Sequence, residues 1–428
     1  MKGREMRYFW IVSLGLSFLA GCAQHAPMMG EAPAPPQMDQ LDGGEPPLEG
    51  EDDDEVVMEP GSRGTQPDPP MSFPDDAAEE IPPPSPPRSG SSGGMAQDGF
   101  LVKRVLYGTN RRRSGELEPN QFFGAKRGGL QTGYCLVSIP DRHVTGNLEA
   151  PSWTRLEFTE SPKKHVVLMQ VEPASRSGFT QLLREETSKG AKKKAFVFIH
   201  GYNVSFKDAA RRTAQLAHDL EFQGAPIFFS WPSRSDVKLY FEDRNDNEWS
   251  RPDLRKFLKT VITQSEAEDI YIIAHSMGNL VTATVLADVH RSLGSNDRSK
   301  IKTVILAAPD IDAETFKRDI APELAETGIP ITVYTSKRDK ALLASEQVWD
   351  NQRVGQNAEA LAGLPGIDAV DSTSAVTDYL HHGYFGDHSR LLRDMNLVFS
   401  GVSAGEGKRS YLQSKSLGQG KRYWMLAP

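Results

Sequence analysis

Apolar residues along this chain fall into short unbroken runs separated by longer stretches of helical period. Ala195–Ile199 (AFVFI), Pro226–Ser230 (PIFFS), Asp269–Ala274 (DIYIIA), Ile301–Ala307 (IKTVILA) and Pro330–Thr335 (PITVYT) are of strand length and apolar at consecutive positions. That is the pattern of strands covered on both faces. Between and after them the periodicity predicts helices over Ser205–Phe222, Pro252–Ser265, Met277–His290, Ala313–Glu326 and Ser389–Phe399. Ser205 with Asp208 three residues on is a capping-box-like start, and Leu216, Ala217 and Leu220 supply part of the apolar stripe. Such alternation predicts an α/β fold, a mostly parallel central sheet with helices on both faces, in which PITVYT is the last strand. Three earlier runs, Phe100–Tyr107 (FLVKRVLY), Tyr134–Ile139 (YCLVSI) and His165–Val171 (HVVLMQV), predict an extension over 99–175 that pairs with one sheet edge. Gly/Arg-rich loop is expected between the first two. The core is expected over 176–402, and 403–428 as a C-terminal tail.

The first hundred residues follow another pattern. Tyr8–Gly21 is an apolar run behind the basic Lys2, Arg4 and Arg7, too short at ~1.5 Å per residue to cross a ~30 Å hydrocarbon core. It has the form of a secretory signal over 1–21. Its end, Leu19-Ala20-Gly21-Cys22, resembles the lipobox of bacterial lipoproteins, which implies cleavage before Cys22, its acylation, and a membrane partner held through it. Ala23 rather than Asp, by analogy with proteobacterial lipoproteins, implies the outer membrane. Residues 23–98 hold 17 Asp/Glu against Arg63 and Arg88, 16 of the 29 prolines, and Phe73 as their lone aromatic residue. Such a segment buries too little apolar area to offset its ordering entropy, so 22–98 is expected to be a disordered tether. The net charge of −8 thus splits into +2 for the signal, −15 for the tether and +5 for the rest. Two cysteines in 428 residues exclude a disulfide-built scaffold or a cysteine-rich zinc module, and a mean hydropathy of −0.47 excludes a polytopic membrane protein. Cys135 is expected to be a buried, inert thiol.

Chemistry concentrates in two turns. In Asp269-Ile-Tyr-Ile-Ile-Ala274-His275-Ser276-Met277-Gly278-Asn279 an apolar strand runs into Ser276 and a helix follows at once. A nucleophile elbow needs this context, with small residues two before and two after the serine, here Ala274 and Gly278. His200-Gly201-Tyr202-Asn203 follows the AFVFI strand, where an HG-type turn supplies one oxyanion-hole amide, from Tyr202; the other comes from Met277. A serine nucleophile needs a base, and the base an orienting acid, in the chain order Ser, Asp or Glu, His. His382 is the expected base with His381 the alternative. His290 ends the elbow helix, and His388 is placed to cap the last one. Asp339, just after PITVYT, is the expected acid; Asp310 and Asp312, after the preceding strand, are the alternatives.

The stretches FIHGYNVSFKDAARRTAQLAHDL, PIFFSWPS, IIAHSMGN, LAAPDIDAETF and the terminal HGYF, with LYGTNR and VSIP upstream, resemble the DUF900 family of bacterial proteins. The resemblance spans about 100–400 and implies an α/β-hydrolase fold of the esterase/lipase superfamily. Where that family has Gly-His-Ser-Tyr-Phe, this chain has His381-His382-Gly383-Tyr384-Phe385, which aligns the family histidine with His382. The segment from Trp231 to Arg251 also matches; Tyr240, Phe241 and Trp249 either line an acyl or aromatic pocket or cover the sheet. The expected function is a membrane-anchored serine hydrolase acting through an acyl-enzyme on a small-molecule or lipid ester. The alternatives are amide or thioester hydrolysis, or an inactive hydrolase-fold lipoprotein that binds without turnover. This chemistry needs no cofactor and no metal-ligand spacing stands out. Arg111–Arg113 and Lys192–Lys194 are too short, and too poor in interleaved aromatic residues, for a nucleic-acid partner.

Overall fold

Alternating side chains of the central strands build two separate cores. In the computed structural model, which describes residues 95–189, 192–234, 239–375 and 384–427, Ala195, Val197 and Ile199 face one apolar cluster while Phe196 and Phe198 face the other. Ile270, Ile272 and Ala274 divide from Tyr271 and Ile273 in the same way. Both faces must therefore be covered, as their continuous apolar runs require.

The strands are β1 (Met95–Gln97), β2 (Phe100–Arg113), β3 (Phe123–Pro140), β4 (Val167–Ala174), β5 (Lys194–Ile199), β6 (Ala225–Ser230), β7 (Asp269–His275), β8 (Ile301–Ala307), β9 (Ile331–Thr335), β10 (Ile367–Asp371), β11 (Leu412–Gly418) and β12 (Lys421–Leu426). They form one 12-stranded sheet in the order β11-β12-β10-β9-β8-β7-β5-β6-β2-β3-β4, with β1 on β2. Pairing from β10 through β6 to β2 is parallel, and β3 and β4 are antiparallel to their neighbours. Helices α1 (Arg176–Ser188), α2 (Phe206–Asp219), α3 (Tyr240–Trp249), α4 (Arg251–Gln264), α5 (Gly278–Arg291), α6 (Lys340–Trp349) and α7 (Ser389–Phe399) are joined by shorter helical turns. Phe179 and Leu183 of α1, Leu254, Phe257 and Val261 of α4, and Val281 and Val285 of α5 pack on one face. Phe206, Ala210 and Leu216 of α2 and Leu391, Met395 and Phe399 of α7 pack on the other. Ser205 caps α2, its Oγ accepting from the Asp208 amide at 3.1 Å, and His388 Nδ1 caps α7 through the Arg390 amide at 3.3 Å. The 313–326 helix is broken by a π-turn at Phe316–Ile320.

Three expectations need correcting. The Gly/Arg-rich stretch between the first two runs is mostly strand: β2 runs on to Arg113 and β3 starts at Phe123, which leaves 114–122 as loop. β2 continues through Thr109-Asn110-Arg111, which are buried polar residues, and polar side chains that face inward leave no apolar signal. PITVYT is not the last strand, because β10 follows it. Residues 403–428 are not a tail: β12 pairs in parallel with β10, and β11 closes that edge in an antiparallel hairpin. β11 is exposed along most of its length, so it carries no burial pattern to read. Cys135 is fully buried, which pushes its thiol pKa well above the ordinary value. Cys22, the signal and most of the 22–98 segment lie outside the described residues.

Candidate functional site

Ser276 stands between the end of β7 and the start of α5 with a φ of 51°. A non-glycine residue in the left-handed region costs energy, of order 1–3 kcal/mol at a site that holds it there. Three contacts hold this one. The Ser276 amide donates to the Ala307 carbonyl at 3.0 Å, and its carbonyl accepts from the Asn279 amide at 3.1 Å. Asn279 Nδ2 also reaches both the Ser276 and Ala307 carbonyls, each at 2.9 Å, and so ties the turn to β8. Backbone crowds the turn from the other side. A Cβ on Gly278 would stand 2.3 Å from the His200 carbonyl oxygen, and one on Gly201 2.6 Å from Ser276 Cβ. Glycine at both positions is what lets the His200–Tyr202 turn lie directly against the serine. Ser276 itself is 2 % exposed.

The His200–Val204 turn is positioned by a relay of hydrogen bonds that starts at Arg111 on β2. Arg111 Nε donates to Ser230 Oγ at 2.8 Å, and Ser230 Oγ lies 3.0 Å from His200 Nε2. His200 Nδ1 lies 2.8 Å from the Gly201 carbonyl. A carbonyl only accepts, so Nδ1 carries the proton and Nε2 accepts from Ser230. Burial, then the Arg111 charge, lowers the His200 pKa to about 3, which keeps the ring neutral in that tautomer. The Gly201 carbonyl and the Tyr202 N–H belong to one planar peptide unit, so the bond that fixes the first also fixes the second. Trp231 stacks on the His200 ring at 5.0 Å and donates from Nε1 to its backbone carbonyl at 2.8 Å. Arg111 further donates to the carbonyls of Val204 (2.7 Å), Ser233 (2.9 Å) and Gly124 (3.2 Å). Arg111 is 1 % exposed, and its guanidinium makes these bonds to neutral oxygens. Burial lowers its pKa to about 9, against the pull of Asp243, Asp208 and Asp246, so it stays charged at neutral pH. Asp243 anchors the next layer, accepting from Ser233 Oγ at 2.5 Å and the Arg234 amide at 2.8 Å.

The acid candidates are placed differently. Asp310 is buried, and its amide approaches the Ser276 carbonyl at 3.3 Å. Its carboxylate is heavily engaged: Oδ1 accepts from Arg353 Nε (2.8 Å) and Ser345 Oγ (2.7 Å), and Oδ2 from Tyr240 Oη (2.5 Å). Burial, then Asp310, pushes the Tyr240 pKa up, so that hydroxyl stays a donor. Asp312 caps the turn at Ala313–Thr315 through the Thr315 amide at 2.7 Å. Asp339, fully buried four residues beyond β9, opens α6, with Oδ1 accepting from the Leu342 amide at 3.1 Å. His381 and His382 lie outside the described residues. Phe385, three residues after His382, is buried and stacks on His275 with ring centres 4.4 Å apart, so the HGYF motif ends against the residue that precedes Ser276. His290 sits in the last turn of α5, half-buried. Tyr202 packs edge-on against Tyr240 at 5.2 Å, and the aromatic contacts continue through Phe241 to Trp349. Sequence reasoning gave the relay residues Arg111, Ser230 and Trp231 no role, although they lie in the LYGTNR and PIFFSWPS stretches.

A parallel sheet with helices on both faces, a strand–serine–helix turn at its centre and a glycine turn packed on the serine define an α/β-hydrolase fold. The chain belongs to the family described as "Alpha/beta hydrolase of unknown function (DUF900)", whose pattern matches residues 175–398. It is 28 % identical over 141 residues to the uncharacterized protein alr1448 of Nostoc sp. (strain PCC 7120), a stretch that covers 27 % of this chain and 36 % of that one. The chain thus spans about a third of that relative's length. Among solved structures it is similar to the poly(3-hydroxybutyrate) depolymerase LpqC of Bordetella parapertussis (17 % identity, TM-score 0.30, 52 % of this chain and 84 % of that one). It is also similar to an esterase of Pyrobaculum calidifontis (15 % identity, TM-score 0.27, 50 % and 78 %).

Proposed function

We propose that this chain is a serine hydrolase that cleaves carboxylic esters through an acyl-enzyme formed on Ser276. The observation that carries the reading is Ser276 itself: a serine held at positive φ at a strand end, with the His200–Tyr202 turn pressed against it. Left-handed backbone at a non-glycine residue persists where surrounding contacts over-determine it, and such positions gather at active sites. In this mechanism Ser276 Oγ attacks the ester carbonyl, and His382 takes its proton and returns it to the leaving alcohol. Asp339 holds the His382 tautomer. The Tyr202 and Met277 amides stabilise the oxyanion, the second from the positive end of α5. Water then releases the acyl group and regenerates the serine. The seat of Phe385 on His275 favours this base, since three residues of chain reach at most ~11 Å. Saturation of the Asp310 carboxylate by Arg353, Ser345 and Tyr240 favours Asp339 over Asp310 as the acid. We further propose that acylated Cys22 tethers the domain to the outer membrane.

A fluorophosphonate probe tests the core of this reading. Labelling of the full chain that disappears in Ser276→Ala is expected. Absent labelling, or labelling that survives the substitution, would show a fold that binds without turnover. His382→Ala is expected to abolish turnover of a short-chain aryl ester, and loss confined to His381→Ala would move the base by one residue.

A further inference from the structure

On the α7 face, four side chains from two segments converge on one point. His143 and Glu149 belong to the segment after β3, and His218 and Asp219 to the end of α2. His143 Nδ1 lies 2.8 Å from Glu149 Oε2, and Nε2 lies 2.7 Å from Asp219 Oδ1. The His218 ring stands edge-on to His143 with centroids 5.1 Å apart. One ligand atom each from His143, His218 and Asp219 lies within 4.8 Å of the others. His143 is 3 % exposed and the Asp219 side chain fully buried.

We propose that His143, His218 and Asp219 bind one divalent transition-metal ion of the zinc class. Two imidazoles and a carboxylate suit zinc, nickel or copper rather than magnesium or calcium, which take oxygen ligands. The outer contacts are those of a metal site. Glu149 takes the ring nitrogen of His143 that does not face the metal, the carboxylate–histidine–metal arrangement that fixes tautomer and ring angle. Glu149 Oε1 is in turn held by the Val144 amide at 3.0 Å. The second oxygen of Asp219 accepts from the Gly146 amide at 2.7 Å and from Gln215 Nε2, which leaves Oδ1 for the ion. Among the described residues the ring nitrogens of His218 make no hydrogen bond, so this imidazole offers a lone pair to the cluster without giving one up. Binding replaces a proton: His143 Nε2–H···Oδ1 Asp219 becomes His143 Nε2–metal–Oδ1 Asp219, and the proton leaves to solvent. Metal–ligand bonds of ~2.0–2.1 Å in a tetrahedral shell require that 2.7 Å pair to open by roughly half an ångström, within side-chain reach.

The ion would act as a brace. It joins the segment after β3 to α2, and Gln215, which holds Asp219, also donates to the Gly386 carbonyl at 3.0 Å. Arg212, one turn earlier, pairs with Asp387 at 2.8 Å. Gly386 and Asp387 follow directly on the HGYF motif, so the brace would stiffen the base of that segment.

The test is calorimetric titration of the full chain, stripped with a chelator, against zinc chloride, with magnesium chloride as the hard-cation control. We expect one zinc ion bound per chain, a raised Tm with zinc and none with magnesium. The d–d spectrum of the cobalt-substituted chain should be that of low-coordinate nitrogen and oxygen ligation. His218→Ala should weaken zinc binding by roughly 100-fold or more while leaving the metal-free Tm unchanged, because His218 makes no hydrogen bond that folding needs. His143→Gln should also lose the zinc effect. No saturable zinc uptake, or uptake and Tm shift undiminished in His218→Ala (as would follow from zinc held by other histidines such as His381 and His382), overturns the proposal.

Discussion

Two buried arginines flank the serine turn, and they are handled in opposite ways. Arg353, on the side of β8 and β9, is paired directly with Asp310, 2.8 Å from Nε to carboxylate. Arg111, on the side of β6 and β2, makes its bonds to Ser230 Oγ and the carbonyls of Val204, Ser233 and Gly124, with Asp243, Asp208 and Asp246 acting from farther away. A direct ion pair cancels both charges locally and closes a loop. A guanidinium bonded to neutral oxygens keeps its field and puts four of its five donors to geometry. The first arrangement makes Asp310 a structural anion. The second makes Arg111 the origin of the relay through Ser230 and His200 to the Gly201–Tyr202 peptide, the position from which an oxyanion donor would act. The two sides of the serine are therefore built for different jobs, fastening on one and aiming on the other.

The sharpest way to break this contrast is to ask whether Asp310, the carboxylate fastened to Arg353, or Asp339 on the same side supplies the acid. Asp339→Asn is expected to lower kcat for an aryl ester by about 10⁴-fold with little change in Tm. Asp310→Asn measured in parallel should lose stability first, and a larger kcat loss there, at unchanged Tm, would reverse the assignment. Next in size, removing one partner of the Asp310–Arg353 pair should destabilise the chain by about 3–5 kcal/mol in urea melts. A double replacement by apolar residues of similar volume should recover much of that loss, because no lone charge is left buried. On the other side, Arg111→Lys keeps the charge but not the planar fork. It should lower kcat/KM by roughly tenfold or more through kcat, with KM little changed, since the turn is loosened rather than removed. If KM rises instead, the relay orders the binding surface and not the oxyanion donor.

The smallest expected effect is in pH dependence. His200 is held neutral, with its pKa lowered from 6.5 to about 3, so between those values the unfolded chain binds a proton that the folded chain refuses. Stability tied to His200 is present above about 6.5 and is lost as pH falls toward about 3. His200→Gln should flatten the slope of unfolding free energy against pH in that window by at most one proton's worth, and a steeper slope would mean the ring is charged in the folded state.

Much of this was legible from residue order alone. The five apolar runs from AFVFI to PITVYT became β5 to β9 within a residue at most ends, because a strand buried on both faces must be apolar throughout. The strand–serine–helix sequence with Ala274 and Gly278 was readable because an elbow's crowding demands small residues at fixed offsets. The rest was hidden for definite reasons. β10 to β12 are short or largely exposed, so burial imposes no pattern on them. Thr109, Asn110 and Arg111 of β2 are polar and buried. α6, which carries Asp339 at its cap, has just Leu342 and Ser345 buried. Asp339 was favoured over Asp310 from its place after PITVYT alone; the Arg353 contact that engages Asp310 was hidden, because the two residues are 43 apart in sequence.

Sequence by itself determined the mostly parallel pairing of the core strands, the serine at a strand–helix junction and the glycine turn that would serve it, since each follows from local sterics or period. Tertiary structure alone decided that Arg353, Ser345 and Tyr240 engage the Asp310 carboxylate, that Arg111 bonds into the His200 turn, and that His143, His218 and Asp219 share one point. These depend on partners brought together across the sheet, 76 residues apart for His143 and Asp219 and 119 for Arg111 and Ser230, and no local pattern records such distances.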